Sequence, residues 1–252
     1  MTMRNTWQPL HAELDIWQDQ GQTARFWLRD DDAIAPTPAL DRLIAILARH
    51  HIPVLLAIIP KGAGLELAAR LAGADLVLPC QHGFSHRNHA SPGEKPQELG
   101  LHRGFEPVLA DLRGGRDKLL ALFGNALRPV LVPPWNRIDP ALVPHLAPLG
   151  ITALSTFGEP APPGFHIDAN VDIIDWRASR SGHAHPKLVA KLVEALVAAR
   201  KNQHAPVGIL AHHLVHGERA WSFLEWLGES LAAHPAAHWV SFDALATHPA
   251  KS

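Results

Sequence analysis

The feature that most limits the fold of this chain is a rhythm. Short, nearly continuous apolar runs are separated by segments of helical period. Strand candidates lie at Phe26–Asp30, Val54–Ile59, Leu76–Pro79, Val130–Val132, Thr152–Ser155, Val171–Asp175, Val207–Ala211 and Trp239–Phe242. Runs this apolar suit strands covered on both faces. Between most of them the period is helical. Thr37-Pro38 opens "ALDRLIAILARH" as an N-cap with proline at the first helical position. Asp139-Pro140 opens "ALVPHLAPLG" in the same way, with Gly150 as its stop. Pro186 opens "KLVAKLVEALVAAR", and "RAWSFLEWLGESLAAH" is the last clear helix. The alternation predicts an α/β fold on a parallel sheet. Seven or eight strand–helix units in one domain, residues 1–252, predict a closed or nearly closed barrel, with a doubly wound open sheet as the alternative. Residues 1–24 read as an N-terminal extension. The stretch 83–104 is rich in proline and glycine, and a loop that long in a compact domain is usually functional.

The ends of the predicted strands carry the chemistry. "FWLR" runs into Asp30-Asp31-Asp32, "LVLPCQ" into His82, "VLV" into Pro133-Pro134-Trp135-Asn136-Arg137, "VDII" into Asp175-Trp176-Arg177, and "VGILA" into His212-His213. In parallel α/β barrels the C-terminal strand ends converge on one face, where active sites are built. This placement counts for more than histidine spacing. With 18 histidines in 252 residues, the i,i+4 pairs His82/His86, His212/His216 and His234/His238 are weak signals by themselves. One aspartate and two histidines supply three protein ligands with an open position, the arrangement of a hydrolytic zinc or similar divalent site. Such a site needs a base for the water proton and an acid for the leaving group. A spare aspartate of the 30–32 run, His212 and Asp175 are the candidates for base, acid and tuning carboxylate. His213 and His216 read as packing or surface residues. Glu98, His102 and Arg103 of the long loop are candidates to grip a polar substrate, with solvation the favoured reading.

Composition closes off other classes. The net charge is −1, with no basic excess to attract a nucleic-acid backbone. No apolar run reaches the length of a membrane span, and the start shows no signal-peptide core, so a cytoplasmic location is expected. The single Cys80 excludes an internal disulfide and a cysteine-based zinc site.

Taken in order, "RDDDA", "HGFSH", "PPWNR", "DIIDW" and "ILAHH" resemble the motifs of the polysaccharide deacetylase family, carbohydrate esterase family 4, over about residues 26–213. The resemblance implies a distorted (β/α) barrel, with 83–104 as an active-site loop. It also implies metal-dependent hydrolysis of the amide of an N-acetylated sugar or related compound. It makes His82, His86 and Asp32 the metal ligands and Asp31 the base; the register one residue earlier, Asp30 and Asp31, stays open. Trp135 falls at the position whose backbone N–H holds the oxyanion, His212 at the catalytic acid, and Asp175 at the carboxylate of its motif. The implied cofactor is a divalent ion, zinc first, with cobalt, nickel, manganese or iron compatible with mixed nitrogen and oxygen ligands. The implied partner is a small-molecule or oligosaccharide substrate, and the oligomeric state is left open. Three positions depart from the pattern. Gly83 stands where Ser or Thr is preferred, Val132 near the place of an arginine for which Arg137 is the candidate substitute from the other side, and His213 where Asp is frequent. These departures keep two other readings alive: hydrolysis of a non-sugar amide or cyclic imide, and a non-catalytic binding member of the fold.

Overall fold

The computed structural model describes residues 3–159 and 164–246. Eight strands form one parallel sheet: β1 Ala24–Ala33, β2 Val54–Ile58, β3 Val77–His82, β4 Val130–Val132, β5 Ala153–Leu154, β6 Val171–Asp172, β7 Val207–Ala211 and β8 Ala237–Trp239. Their order is β5-β4-β3-β2-β1-β7-β6, with β8 paired to Ala24–Phe26 at the start of β1. Bridges Leu154–His166 and Phe157–Ala169 join β5 to the segment leading into β6. The sheet therefore curls into a distorted barrel. The helices are α1 Met3–Asp19, α2 Pro38–His50, α3 Leu65–Leu71, α4 Phe105–Phe123, α5 His185–Lys201, α6 Glu218–Ala232 and α7 Phe242–Ala246. No helix among the described residues is long and apolar enough to cross a membrane.

The two-residue period of the strands builds two apolar layers. Phe26, Leu28, Val54, Leu56, Ile58, Val207, Ile209 and Ala211 belong to the cluster beneath the helices. Their neighbours Trp27, Leu55, Ala57 and Leu210 belong to the barrel interior, with Leu78, Cys80, Val130 and Val132. Successive strand side chains point to opposite faces, so one strand feeds both layers. Trp27 fills the barrel at the expense of β7, where a Cβ on Gly208 would lie 2.6 Å from the indole.

Thr37 caps α2 as its sequence demands: its Oγ1 accepts the Leu40 N–H at 3.1 Å, and Pro38 occupies the first turn. The N-terminal extension is a helix rather than a loose arm. Trp7, Leu10, Leu14 and Trp17 form one buried stripe on α1, with Trp7 stacked on Phe223 of α6 and Glu13 paired with Arg200 of α5. Two expectations shift. "ALVPHLAPLG" forms 3-10 turns, Pro140–His145 and Ala147–Leu149, instead of an α-helix. Pro144 and Pro148 lack the N–H groups an α-helix would use there. The last strand ends at Trp239, and Phe242 starts α7.

Candidate metal centre

The strand alternation also sorts the polar residues at the barrel mouth. On β1, Trp27 faces the interior, so Arg29 and Asp31 follow it inward, while Asp30 follows Leu28 to the helix side. On β3, His82 follows Leu78 and Cys80 inward, and on β7 the interior residue Leu210 brings His212 with it. Asp30 meets His213 outside: its Oδ2 accepts the His213 backbone N–H at 2.9 Å and its Oδ1 lies 2.5 Å from Nδ1. Both residues are buried. Burial would lower the His213 pKa, but the charge and hydrogen bond of Asp30 raise it. His213 is thus neither loose packing nor surface; it ties the end of β7 to β1. His216 is half-buried, edge-on to Trp221, and burial depresses its pKa to about 4.

Asp32 breaks the alternation. The β1–β2 register shifts between Asp30 and Ala33, and Asp32 takes φ 74, the left-handed region. This irregularity turns its carboxylate to the histidines: Oδ1 lies 3.1 Å from His82 Nε2 and 3.3 Å from His86 Nε2. Ligand atoms of Asp32, His82 and His86 all lie within 4.8 Å of one another. His82 Nδ1 is 2.9 Å from the Val132 carbonyl. A proton there makes Nδ1 the donor to that carbonyl, so that loss of the Nε2 proton would free its lone pair for a metal, which is how a metal-binding imidazole is oriented. The donor set therefore fits a divalent ion. Burial opposes ionisation of Asp32, yet the hydrogen bond and charge of His82, with the charges of His212 and His86, hold the carboxyl below the usual range. Burial depresses the His86 pKa.

Asp31 sits beside this trio and is held by Arg29. Arg29 Nε is 3.0 Å from Asp31 Oδ1 and Nη2 donates to Oδ2 at 3.1 Å, with both side chains buried. The same guanidinium donates to Ser155 Oγ at 2.9 Å, the Thr156 carbonyl at 2.8 Å and Asn136 Oδ1 at 2.6 Å. Arg29 was not singled out in the sequence, although its parity with Asp31 on β1 was the available signal. Arg137 does not take this place: its Nη1 donates to the Pro96 carbonyl at 2.8 Å.

His212 stands across from Asp31, with Nε2 3.9 Å from Oδ2, its ring edge-on to Trp176 at 4.8 Å. Asp175 is not brought to His212. Its carboxylate lies 3.2 Å from His183 Nδ1 and accepts the Ala178 N–H. Of the carboxylates that follow β6, it is Asp172 that feels the charge of His212; it accepts from Trp176 Nε1 and from the Ile174 N–H, each at 2.8 Å. Burial raises the Asp172 pKa. Trp135 lies against His86, ring centroids 4.3 Å apart, with φ 55. Left-handed backbone at a bulky residue is strained and is held by its surroundings. None of the described residues takes the Trp135 N–H as a hydrogen-bond donor.

The reading of Glu98 as solvated is corrected. The side chain is fully buried, and accepts from Phe84 N at 3.0 Å, Ser85 N at 2.7 Å and Ser85 Oγ at 2.8 Å. It therefore shapes the turn that carries His86. His102 is paired within the loop to Glu94, and Arg103 to Asp111 on α4. The same packing explains Gly83. Its φ is 52, and a Cβ there would lie 2.1 Å from Glu98 Oε2 and 2.6 Å from Pro134. Gly83→Ser should destabilise the protein by about 2 kcal/mol through backbone strain and displacement of Glu98, lowering the melting temperature by roughly 4–8 °C. An unchanged thermal unfolding curve would show that the turn tolerates a side chain.

No protein-family model matches the sequence, and no curated protein matches it. Solved structures do resemble its fold. A Mycobacterium smegmatis protein described as a polysaccharide deacetylase superimposes with a TM-score of 0.66 at 16% identity, covering 90% of each chain. A family 4 carbohydrate esterase from Streptomyces lividans, solved with acetate, gives 0.57 at 14% identity, over 85% of this chain and 90% of the other. A mutant of BA3943, a pseudoenzyme of that family with restored enzymatic activity, gives 0.59 at 15% identity, over 89% of this chain and 68% of the other. The barrel described above is the fold shared by polysaccharide deacetylases and family 4 carbohydrate esterases.

Proposed function

We propose that the protein is a metal-dependent hydrolase that removes an acyl group, most simply acetyl, from the amide nitrogen of an N-acetylated sugar or related compound. The observation that carries this reading is the convergence of Asp32, His82 and His86 beside the buried Arg29–Asp31 pair, with His212 opposite. Fold likeness to deacetylases and to an esterase solved with acetate supports it.

Asp32, His82 and His86 would hold a divalent ion, zinc being the first choice for a nitrogen–oxygen set. When bound, such an ion polarises an amide carbonyl and lowers the pKa of a nearby water. The remaining work belongs to the chain. Asp31, fixed by the guanidinium fork of Arg29, takes the proton of the attacking water. The Trp135 N–H, held outward by the left-handed turn, donates to the oxygen that gains charge; one such donor contributes about 3 kcal/mol of barrier lowering. His212, on the far side of Asp31, delivers a proton to the departing amine, with Asp172 and Trp176 setting its surroundings.

Elemental analysis tests the first step. Protein purified without a His tag or nickel column should carry about one divalent ion per chain, and the His82→Ala/His86→Ala double variant should carry none. The absence of metal from both, even after incubation with zinc or cobalt, would remove the basis of the hydrolytic reading.

A further inference from the structure

Against the turn that follows Trp135 lies a cavity of about 680 Å3, walled by Asn136, Arg137, Val143, Leu154, Thr156 and His166 among others. It adjoins the catalytic candidates. Asn136 follows Trp135, whose ring touches His86, and its Oδ1 holds Arg29, the partner of Asp31. The wall is apolar on the side of Val143 and Leu154. The cationic side chain is Arg137, half-buried, with one N–H bound to the Pro96 carbonyl. The described lining contains no carboxylate. Nearby acids are engaged elsewhere: Asp139 with the Ala141 N–H, Asp168 with Thr156 N and Oγ1, and Glu98 with the Phe84–Ser85 turn. A guanidinium in a partly apolar pocket with no acid to neutralise it is suited to a planar or tetrahedral oxyanion.

We propose that this cavity is the subsite for an anionic substituent, a carboxylate or phosphate, on the substrate whose amide lies at the Asp32–His82–His86 centre. The proposal rests on that hydrolytic reading for its substrate, and on the cavity for its charge preference. Arg137 is the specificity-determining residue, with His166 at the opening and the Val143–Leu154 wall against the uncharged part of the substituent.

The test is a titration of the 15N-labelled full chain with three sugars: neutral N-acetylglucosamine, N-acetylmuramate and N-acetylglucosamine 6-phosphate. Backbone amides of Ile138, Thr156 and His166 report the cavity. At least one anionic sugar should bind about tenfold or more tightly than the neutral one, in line with a charged hydrogen bond. The preference should vanish in Arg137→Gln and survive in part in Arg137→Lys, with thermal unfolding of each variant checking its fold. Which anion wins distinguishes carboxylate from phosphate. Equal binding of all three, no binding, shifts outside the cavity, or a preference that persists in Arg137→Gln would overturn the proposal. Binding is read without turnover, so the two readings fail separately. Metal-loaded protein that releases acetate from none of the sugars would sink the hydrolytic reading alone.

Discussion

Asp31→Asn should reduce turnover by about 10²–10⁴-fold, the usual contribution of a positioned general base, while the protein keeps its full complement of metal. The substitution preserves shape and removes the proton acceptor. Asp31 contributes no ligand atom to the Asp32–His82–His86 set, so metal content should not follow activity. This separation gives the experiment its force. Asp32→Asn, by contrast, alters a ligand and should lower both. The measurement is acetate release from an N-acetylated sugar turned over by the wild-type protein, alongside metal analysis of each variant. Turnover of Asp31→Asn within a few-fold of wild type, with metal bound, would place the base elsewhere. His212 is the next group to examine, since its Nε2 lies 3.9 Å from the same carboxylate.

Arg29→Met should be the most damaging single substitution for the fold near the site. It leaves Asp31 charged and buried without its partner, and removing one member of a buried pair costs about 3–5 kcal/mol. It also strips donors from Ser155 Oγ, the Thr156 carbonyl and Asn136, groups just after β5 and on the turn after β4. Arg29→Lys keeps the charge but loses the fork that meets both oxygens of Asp31, so it should recover only part of the stability. The double variant Arg29→Met/Asp31→Leu should be more stable than Arg29→Met, because it no longer buries a lone charge. Denaturant unfolding measures all three. An Arg29→Met variant within about 1 kcal/mol of wild type would mean that solvent reaches Asp31 and that the pair is not the anchor described above.

Much of this site follows from residue order and parity. The eight apolar runs overlap the eight strands, though β3 runs on to His82, β6 stops at Asp172 and the last strand begins two residues earlier and ends at Trp239. Trp27, Arg29 and Asp31 share one face of β1, and Leu28 and Asp30 the other, because the period of an extended chain is two. That parity carries Asp31 inward and Asp30 out to His213. Local pattern also marked Thr37 as a cap. It failed at "ALVPHLAPLG", where helical spacing was legible but two prolines converted the helix to 3-10 turns.

What only the tertiary structure decided are contacts between segments far apart in the chain. The register shift that turns Asp32 to His82 is a property of β1 pairing with β2. Glu98 reaches back 13 and 14 residues to Ser85 and Phe84, so the need for glycine at position 83 is invisible until the loop closes over it. Arg29 lies beside Asp31 by parity alone, but its further bonds to Ser155, Thr156 and Asn136 reach across 126, 127 and 107 positions. Of the two aspartates in "DIIDW", it is Asp172 that feels the charge of His212, because the chain turns after β6 and sends Asp175 to His183. Period and composition act through neighbours along the chain, and they set the strands, their faces and the end of the barrel where polar groups gather. Which polar group meets which depends on how strands of different length and irregularity stack around that barrel, and on the cost of burying a charge without a partner.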